Sequence, residues 1–402
     1  MDAQRLKDNF ANVTEQGDAV ALFFYSDLFV RNPHLRDMFP IGMSHQRDKL
    51  LRALGHIVSQ VDDLPNVVPF VQQLGRDHRR FGIVAEHYPN VGASLIATLR
   101  HFSGPAWNDE LEADWTAAYG LIAKVMLEAA DEDSLTSPAW WNGQVVAVER
   151  RRFDIGVLRV QPDRPIPYRP GQSVAVEVPS RLRQWRYYSM ANAPRPDHTV
   201  DFHVRLVDGG PVSPVLVRGT ETGDRLRMGA PIGTLTLDEA SGRDVLLIAG
   251  STGLAPLKAI LEQIAHRPAP PRVHLFFGAR TRDGLYDLED LSKLAGEFPW
   301  LTVVPAVSDE PGGHGFSPVL QSGAQSWFES GSPGSPPGSS PVDGDVEHGN
   351  LSDVVARRGP WNDHDAYVCG PSAMVGHTVE QLSMLGVPRD RIRLETFADA
   401  QR

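Results

Sequence analysis

The chain has 402 residues, of which 41% are hydrophobic, and a formal net charge of -11 at pH 7. This length is too great for a single hydrophobic core and predicts two or three domains in an ordinary globular protein. The acidic balance argues against a nucleic-acid surface, and we expect neither a membrane span nor a signal peptide, so the predicted location is cytoplasmic. The single cysteine, Cys369, excludes a disulfide framework and a metal site built from cysteines.

The pattern of residues 1–133 is helical throughout, which predicts an all-α domain. One apolar stripe with helical spacing ends at His78 and contains Val67, Phe70, Val71 and Leu74. A second stripe begins at Gln46 and continues through Leu50 toward Val61, so the Gln46 amide is expected to face inward. The same spacing predicts further helices over residues 19–31, 91–102 and 111–126.

His78 alone is typical of a histidine at the edge of a hydrophobic core. Its companions favour another interpretation, because Tyr25, Phe39 and Gln46 precede it in the order and at the spacings of an oxygen-binding globin. At this point the sequence resembles the flavohaemoglobin family, and the resemblance continues through the rest of the chain. Its motifs in this region are Phe24-Tyr25, Asn32-Pro33, Met38-Phe39, His45-Gln46-Arg47 and Tyr88 ten residues after His78.

The resemblance implies a role for each of these residues. His78 would be the axial ligand of haem b, and Phe39 would pack on the porphyrin. Tyr25 and Gln46 would contact oxygen, with Leu50 lining the same cavity. Hydrogen-bond donors in an apolar cavity stabilise the partial negative charge that oxygen acquires on ferrous haem.

The proximal side of the haem site departs from the family, in which a glutamate near the end of the last globin helix accepts a hydrogen bond from the axial histidine. An ungapped count places Ala130 at that position. Glu128 lies about 200° around the helix and Asp131 about 100°, so neither is an obvious replacement. We therefore expect His78 to be less strongly polarised than in the family, while Tyr88 keeps part of the proximal network.

Residues 134–138 break the helical pattern, and a β-rich stretch follows that we assign to a second domain, residues 139–238. Short alternating runs separated by glycine and proline turns predict a small antiparallel β-barrel. The predicted strands cover residues 145–148, 155–160, 173–178, 200–206 and 234–237. In the resembled family this domain binds FAD.

A four-residue run, Arg186-Tyr187-Tyr188-Ser189, lies between two of these strands and predicts the flavin site. A flavin needs an aromatic face, a hydrogen-bond donor near its reactive nitrogen and a guanidinium at its pyrophosphate. Tyr188, Ser189 and Arg186 supply these groups in turn. Without its setting, so short a run is typical of ordinary strand residues.

A second flavin contact is implied by Gly209-Gly210-Pro211-Val212-Ser213, which resembles the Gly-Gly-x-Val-Ser motif of the family. In the family, backbone amides and a hydroxyl of this motif meet the flavin pyrophosphate. The resemblance therefore assigns that role to Gly210, Val212 and Ser213. Taken alone, the glycine pair would be a plain hairpin turn.

The third domain, residues 239–402, is predicted to be a doubly wound sheet of parallel strands. The apolar run 245–249 is typical of a buried parallel strand, and a turn containing Gly250, Thr252 and Gly253 leads from it into a helix. Free amides at this turn would hold a pyrophosphate, which assigns these three residues to the nicotinamide cofactor. The remaining predicted elements are a helix over 254–265 and strands over 273–277, 301–307, 366–369 and 392–397.

Two further motifs of the family occur near the end of the chain. Cys369, Gly370 and Pro371 resemble the motif that lies under the nicotinamide at a strand end. Cys369 is equally consistent with a small buried core residue. Glu395 and Phe397 match Glu-x-Phe, whose aromatic ring in the family lies against the flavin where the nicotinamide enters.

Residues 312–349 interrupt the third domain with a segment dominated by Gly, Ser and Pro. Such a composition buries too little apolar surface to order itself, so we predict a flexible inserted loop. The insertion departs from the family and is expected to leave its chemistry unchanged.

A chain with both a nicotinamide site and a haem needs an adaptor, because a hydride donor cannot reduce a one-electron centre directly. The flavin is that adaptor, and the predicted function is an NAD(P)H-dependent flavohaem oxidoreductase. The resemblance implies a nitric oxide dioxygenase, which converts NO and O2 to nitrate. Two alternatives remain: an oxygen-binding or gas-sensing globin, and a reductase for an external acceptor with an accessory globin.

The choice between NADH and NADPH stays open at this point. Arg280 and Arg282, which follow the second predicted strand of the third domain, would suit a 2′-phosphate. The family mostly prefers NADH, and we expect NADH here. O2 and NO are the expected partners, and the residues point to no protein partner.

Overall fold

The structure is a computed structural model and describes residues 1–309 and 346–397. These residues form two compact units. The first comprises residues 1–143, 175–186 and 225–230, and the second comprises the other described residues. Residues 312–345 of the predicted insertion lie outside the described residues.

The all-α domain predicted for the first part of the chain is confirmed. Its helices are α1 (Ala3–Thr14), α2 (Asp18–Arg31), α3 (Ser44–Ser59), α4 (Leu64–His78), α5 (Tyr88–Ser103) and α6 (Asp109–Ser134). Apolar spacing predicts α2 to α6 and misses α1. Asp2 begins α1 by accepting a hydrogen bond from the Arg5 amide at 3.1 Å, and Asn108 begins α6 through the Leu111 amide at 2.9 Å.

The helical core gathers the apolar stripes of these helices. Its largest buried members are Leu6, Phe10, Phe24, Tyr25, Leu28, Leu99 and Trp115. α4 and α6 approach so closely that a side chain at Gly75 would collide with the carbonyl oxygen of Met126. This close approach holds the end of α4, which carries His78, against the last helix of the domain.

Six strands form the predicted antiparallel barrel, which is nearly closed. They are β1 (Trp141–Arg150), β2 (Ile155–Pro162), β3 (Ser173–Glu177), β4 (Arg186–Ser189), β5 (Val200–Arg205) and β6 (Arg225–Met228), in the order β4-β3-β6-β1-β2-β5. β2 pairs with β5 from Ile155 opposite Arg205 to Val160 opposite Val200. The run predicted to hold the flavin is therefore an edge strand of this sheet.

The strand predicted over residues 234–237 is wrong. Nearby, Ile232 makes only an isolated bridge to Ser173. Leu235 and Leu237 are buried in the core of the parallel sheet, so their alternation reflects packing and not strand pairing. The barrel is completed by β6, whose alternating burial extends over only four residues and was not predicted.

The predicted parallel sheet is confirmed. Its strands are β7 (Asp244–Gly250), β8 (Val273–Ala279), β9 (Leu301–Val307), β10 (Glu347–His348), β11 (His364–Pro371) and β12 (Ile392–Phe397), in the order β10-β9-β8-β7-β11-β12. The helices are α7 (Leu254–Ala265), α8 (Leu288–Glu297), α9 (Leu351–Arg357) and α10 (Ser372–Met384). Leu247 and Ala249 join one hydrophobic core while Leu246 and Ile248 join another, which explains the continuous apolar run of β7.

Two of the last four residues of the predicted insertion form a strand of the sheet. Val346 is buried, and β10 pairs in parallel with β9 through Glu347 opposite Ala306 and His348 opposite Val307. The sequence on the N-terminal side of this short strand is rich in glycine, so composition alone does not predict the strand. None of the helices in residues 1–309 and 346–397 combines the length and apolarity needed to cross a membrane.

Candidate functional site

The predicted oxygen-contacting residues meet inside the helical domain. Tyr25 on α2 is 5% exposed, and the side chain of Gln46 on α3 is near enough to act on its hydroxyl. The Tyr25 ring lies 5.4 Å from the ring of Phe39 and 5.8 Å from that of Phe29. Leu50 packs against the same core. Burial raises the pKa of Tyr25 to about 12, so the phenol remains a hydrogen-bond donor at neutral pH.

The predicted metal ligand lies at the end of α4. The Nδ1 atom of His78 donates a hydrogen bond to the carbonyl oxygen of Leu74 at 2.6 Å. This bond orients the ring and leaves Nε2 with its lone pair for a metal. Burial lowers the pKa of His78, which favours the neutral imidazole that binds iron. These features fit an axial haem ligand.

The proximal surroundings of His78 contain no carboxylate partner for Nδ1 within the described residues. Glu128 is 66% exposed at its side chain and lies 3.8 Å from Lys124, one turn earlier on α6. Asp131 is exposed and acts on Tyr88, whose pKa is raised by burial first and by the Asp131 charge second. The acceptor for His78 is therefore a backbone carbonyl, as the absence of a glutamate at position 130 predicts.

The residues predicted to hold the flavin include a buried hydroxyl that lacks a partner. Ser189 is 5% exposed, and no described group hydrogen-bonds with its Oγ atom. Tyr188 and Arg186 are partly buried on the same strand, and Arg186 donates to the carbonyl oxygen of Trp185 at 2.9 Å. Buried polar atoms are nearly always hydrogen-bonded, so the Ser189 hydroxyl fits a site that a ligand completes.

The glycine pair that follows β5 forms a tight turn. The Gly210 amide donates to the carbonyl oxygen of Val207 at 3.0 Å, and the Val207 amide donates to Oγ of Ser213 at the same distance. Gly209 has a φ of +68°, a conformation that favours glycine. Val212 and Ser213 are buried, and the Ser213 hydroxyl keeps its own proton for donation to a phosphate.

The predicted nicotinamide loop joins β7 to α7 with little free space. A side chain at Gly253 would collide with the carbonyl oxygen of Cys369, and one at Gly250 would come within 2.6 Å of Met374. Thr252 is buried, and Arg205 donates to Oγ of Ser251 at 3.1 Å. The loop thus brings backbone amides and the N-terminus of a 12-residue helix to one point, which fits a pyrophosphate.

The two C-terminal motifs are adjacent in the sheet. Cys369 of β11 is opposite Glu395 of β12, and Pro371 is opposite Phe397. Cys369 is fully buried, and burial together with the Glu395 charge raises the pKa of its thiol well above the usual range. Burial also raises the pKa of Glu395 to about 7, and its buried Oε2 atom has no hydrogen-bond partner among the described residues. Gly370, which separates the two pairs, is buried opposite Thr396.

Sequence reasoning missed a buried polar network in the second unit. His203 of β5 lies 2.8 Å from the hydroxyl of Tyr286 through Nδ1, and burial lowers the pKa of His203 to about 4. Beside it, Lys258 of α7 donates to the fully buried Asp287 at 2.6 Å. The network ties a barrel strand to the helix that follows the nicotinamide loop. His203, Lys258 and the adjacent pair of Tyr286 and Asp287 are too far from one another in the chain for spacing to reveal the network.

Comparisons with known families match all three domains. A globin model matches residues 22–126, an oxidoreductase FAD-binding domain residues 144–237 and an oxidoreductase NAD-binding domain residues 247–325. A flavohemoprotein of Rhodopirellula baltica is 26% identical and covers 96% of this chain and 94% of its own length.

Solved structures show the same arrangement of folds. A flavohemoglobin of Malassezia yamatoensis with bound FAD and haem has a TM-score of 0.75 at 16% identity and covers 98% of each chain. The FAD/NAD-binding domain of a nitric oxide dioxygenase from Vibrio cholerae has a TM-score of 0.52 at 22% identity, covering 64% of this chain and 98% of its own. The matched domains assign haem, FAD and a nicotinamide dinucleotide as cofactors. Since one chain carries the three domains in this order, the protein is an oxidoreductase that joins a globin to an FAD-binding and an NAD-binding domain, the arrangement also found in the flavohemoproteins that it resembles almost end to end.

Proposed function

We propose that this oxidoreductase is a nitric oxide dioxygenase, which combines NO with O2 to give nitrate and takes its electrons from NADH. The observation that carries the proposal is the buried phenol of Tyr25, which lies among the rings of Phe29 and Phe39 in the globin domain with Gln46 nearby. A reductase in the same chain supports it, since an oxygen store needs no dedicated electron supply. The similar domain from Vibrio cholerae belongs to a protein named for this activity.

In the globin domain, protein side chains position the reactants and exclude water. When bound, haem supplies the iron that binds oxygen, and FAD converts a hydride into single electrons. The Tyr25 phenol, whose pKa is about 12, keeps its proton at neutral pH and would donate a hydrogen bond toward developing negative charge, with the Gln46 amide nearby as a second polar group. Phe29 and Phe39, whose rings are 5.2 Å apart, keep the surroundings of Tyr25 apolar.

In the reductase domains, the remaining predicted residues have roles in holding the flavin and the nicotinamide cofactor. The Ser189 hydroxyl would be available to hold the reactive edge of a flavin, and Tyr188 would supply an aromatic face for it. Amides of the loop from Gly250 to Gly253 hold the nicotinamide pyrophosphate. Glu395, with a pKa of about 7, exists in both protonation states near neutral pH beside the neutral Cys369 thiol.

The proposal favours NADH as the electron donor. Arg280, one of the two candidates for a 2′-phosphate, is already paired with Asp309 at 2.6 Å and is 81% exposed. A guanidinium that already donates to a carboxylate has fewer N–H groups available to donate to a second anion.

The test is the rate of NO consumption, recorded with an electrode, when O2 and NADH are supplied together or singly. We expect fast consumption only with both, and its loss in His78→Ala. An oxygen-binding globin would consume one equivalent of NO and stop. A reductase for an external acceptor would oxidise NADH rapidly with ferricyanide or a quinone but leave NO untouched. Either of these results would contradict the proposal.

A further inference from the structure

One face of β5, in the second unit, carries polar side chains although the strand is largely buried. Asp201, His203 and Arg205 alternate along the strand, so they lie on the same side of it. Phe202 and Val204 belong to the opposite face, and both are buried. Since Asp201 is 7% and His203 6% exposed, the polar face needs partners from another part of the fold.

The partners come from α7 and from the loop that precedes it. At one end of the polar face, Arg205 donates to Oγ of Ser251 in that loop at 3.1 Å. At the other end, Arg195 donates to Asp201 at 2.9 Å and lies 3.4 Å from Glu262 on α7. The strand and the helix are therefore joined at both ends of this face.

The contact in the middle of the face is buried and indirect. Nδ1 of His203 lies 2.8 Å from the hydroxyl of Tyr286, which precedes Asp287 in the chain. Lys258 of α7 donates to Asp287 at 2.6 Å, and the Asp287 side chain is fully buried. Lys258 lies one helical turn before Glu262, so both residues share one face of α7. His203 thus reaches the helix through Tyr286 and Asp287.

Burial makes this middle contact specific. It lowers the pKa of His203 to about 4 and raises that of Tyr286 well above the usual range, so their hydrogen bond joins two neutral groups. When one partner of a buried hydrogen bond is removed, the other is left unsatisfied. Asp287 stays paired with Lys258 because an unpaired charge in the interior is strongly unfavourable. Together these bonds favour one placement of β5 relative to α7.

Each end of this chain of contacts adjoins a proposed cofactor site. An isolated antiparallel bridge joins Phe202 to Met190, so the neighbouring positions, His203 and Ser189, are opposite each other. Ser189 carries the hydroxyl proposed to hold the flavin. α7 begins at the loop of residues 250–253, which is proposed to hold the nicotinamide pyrophosphate. The contacts between β5 and α7 thus connect the end of β4 with the nicotinamide loop.

We propose that His203 and Tyr286 are positioning residues of the reductase, which hold the nicotinamide loop in place against the end of β4. In the step that they serve, a hydride leaves the dihydronicotinamide with its electron pair, so the nicotinamide is oxidised and the flavin is reduced. This transfer requires contact between the two rings, and a small misplacement of one ring slows it strongly. The proposal rests on the flavin and nicotinamide sites proposed above and is independent of the reaction with NO.

The first test compares Tyr286→Phe, which removes the hydroxyl and keeps the ring, with Tyr367→Phe as its matched control. Tyr367 is also buried in the second unit, but its hydroxyl accepts a hydrogen bond from the Asp238 amide at 2.9 Å. In the anaerobic holoprotein with saturating NADH, flavin reduction in Tyr286→Phe should be about tenfold slower, the effect of one lost hydrogen bond. The dissociation constant for NADH should stay at the parent value, and Tyr367→Phe should match the parent in both quantities.

The second test involves no turnover. Oxidised nicotinamide stacked on reduced flavin gives a long-wavelength charge-transfer band, whose intensity reports how closely the two rings meet. NAD+ added to the reduced protein should give a weaker band in Tyr286→Phe than in the parent or in Tyr367→Phe. His203→Asn keeps a hydrogen-bonding group near the position of Nδ1, so it should retain more of the band than His203→Leu.

Flavin reduction at the parent rate, with a band of parent intensity, in Tyr286→Phe would overturn the proposal. Equal losses in Tyr286→Phe and Tyr367→Phe would show a general loss of stability and would contradict it as well. So would weaker NADH binding with an unchanged rate at saturation, because this result assigns Tyr286 to binding and not to positioning. If Tyr286→Phe failed to fold, bands of equal intensity in His203→Asn and His203→Leu would reject the proposal.

Discussion

The Nδ1 atom of His78 donates its hydrogen bond to the carbonyl oxygen of Leu74, at 2.6 Å, on the preceding turn of α4. A backbone carbonyl is a weaker acceptor than a carboxylate, so it gives the imidazole less anionic character. The carboxylate of Glu128 points toward Lys124 and solvent, and position 130 is an alanine. The axial bond to iron is therefore expected to be weaker than in a haem protein with a carboxylate partner.

The iron–histidine stretching frequency of the deoxy ferrous protein measures this directly. We predict a frequency well below that of a peroxidase, in a resonance Raman spectrum. Ala130→Glu places a carboxylate at the position that the resemblance assigns to the acceptor of the His78 hydrogen bond and should raise the frequency, whereas Lys124→Glu on the exposed face should not. A peroxidase-like frequency in the parent would show that another carboxylate reaches His78.

Tyr25→Phe removes the phenol proton that we assign to oxygen. Loss of one hydrogen bond to a charged group costs about 1.5 to 3 kcal/mol, which corresponds to roughly ten- to a hundredfold faster oxygen release. Stopped-flow mixing measures the oxygen dissociation rate. The rate of flavin reduction by NADH serves as the internal control and should be unchanged. Equal dissociation rates in parent and variant would remove Tyr25 from the oxygen site.

Because the pKa of Tyr25 is about 12, oxygen release from the parent is also expected to be independent of pH between about 6 and 9.

Ser189→Ala removes the buried hydroxyl that lacks a partner within the described chain. We expect the haem spectrum to be retained and hydride transfer from NADH to the flavin to slow by about tenfold, the effect of one lost hydrogen bond. Ser383→Ala is the matched control, since its hydroxyl donates only to the Val379 carbonyl on an exposed helix face. Flavin reduction at the parent rate in Ser189→Ala would place the flavin edge elsewhere.

Glu395 provides a prediction on stability and pH. Burial raises its pKa from the ordinary 4.5 to about 7, so the folded chain retains a proton that the unfolded chain releases. The folded state consequently loses stability as pH rises from about 4.5 to 7, with no effect below this window and a constant penalty above it.

Glu395→Gln abolishes this titration. The thermal midpoint of the variant should exceed that of the parent, and the difference should grow as pH rises from about 4.5 to 7. At the upper end we expect the difference to correspond to about 1 to 3 kcal/mol of unfolding free energy, since each pKa unit corresponds to about 1.4 kcal/mol and partial solvent contact reduces the effect. Differential scanning calorimetry at a series of pH values measures the difference. A difference that does not change with pH would show that Glu395 titrates normally.

Local sequence patterns predicted the elements that carry strong periodicity. The helix over 254–265 and the strand over 301–307 have the predicted bounds, because a buried parallel strand is apolar throughout and ends at a recognisable turn. The alternation of Leu235 and Leu237 led to a wrong strand prediction, since a loop packed on a core can show the same period of two as a strand.

The parts of the site that escaped prediction depend on neighbours distant in the chain. His203, Lys258 and Tyr286 come from three separate parts of the chain, and nothing in their spacing indicates that they meet in one buried polar network. The Ser189 hydroxyl, which has no hydrogen-bond partner among residues 1–309 and 346–397, and the raised pKa of Glu395 likewise depend on burial, which only the folded chain creates.

The central claim is that electrons from NADH reach a globin domain that converts NO and O2 to nitrate. The most direct measurement is the amount of nitrate formed per NADH consumed during steady turnover with limiting NO, since each NADH supplies two electrons and each nitrate requires one. We predict a ratio near two, no nitrite beyond the uncatalysed background, and no nitrate without O2. A ratio near zero, with NADH consumed at an undiminished rate, would contradict the claim and identify the globin domain as accessory to another reductase activity.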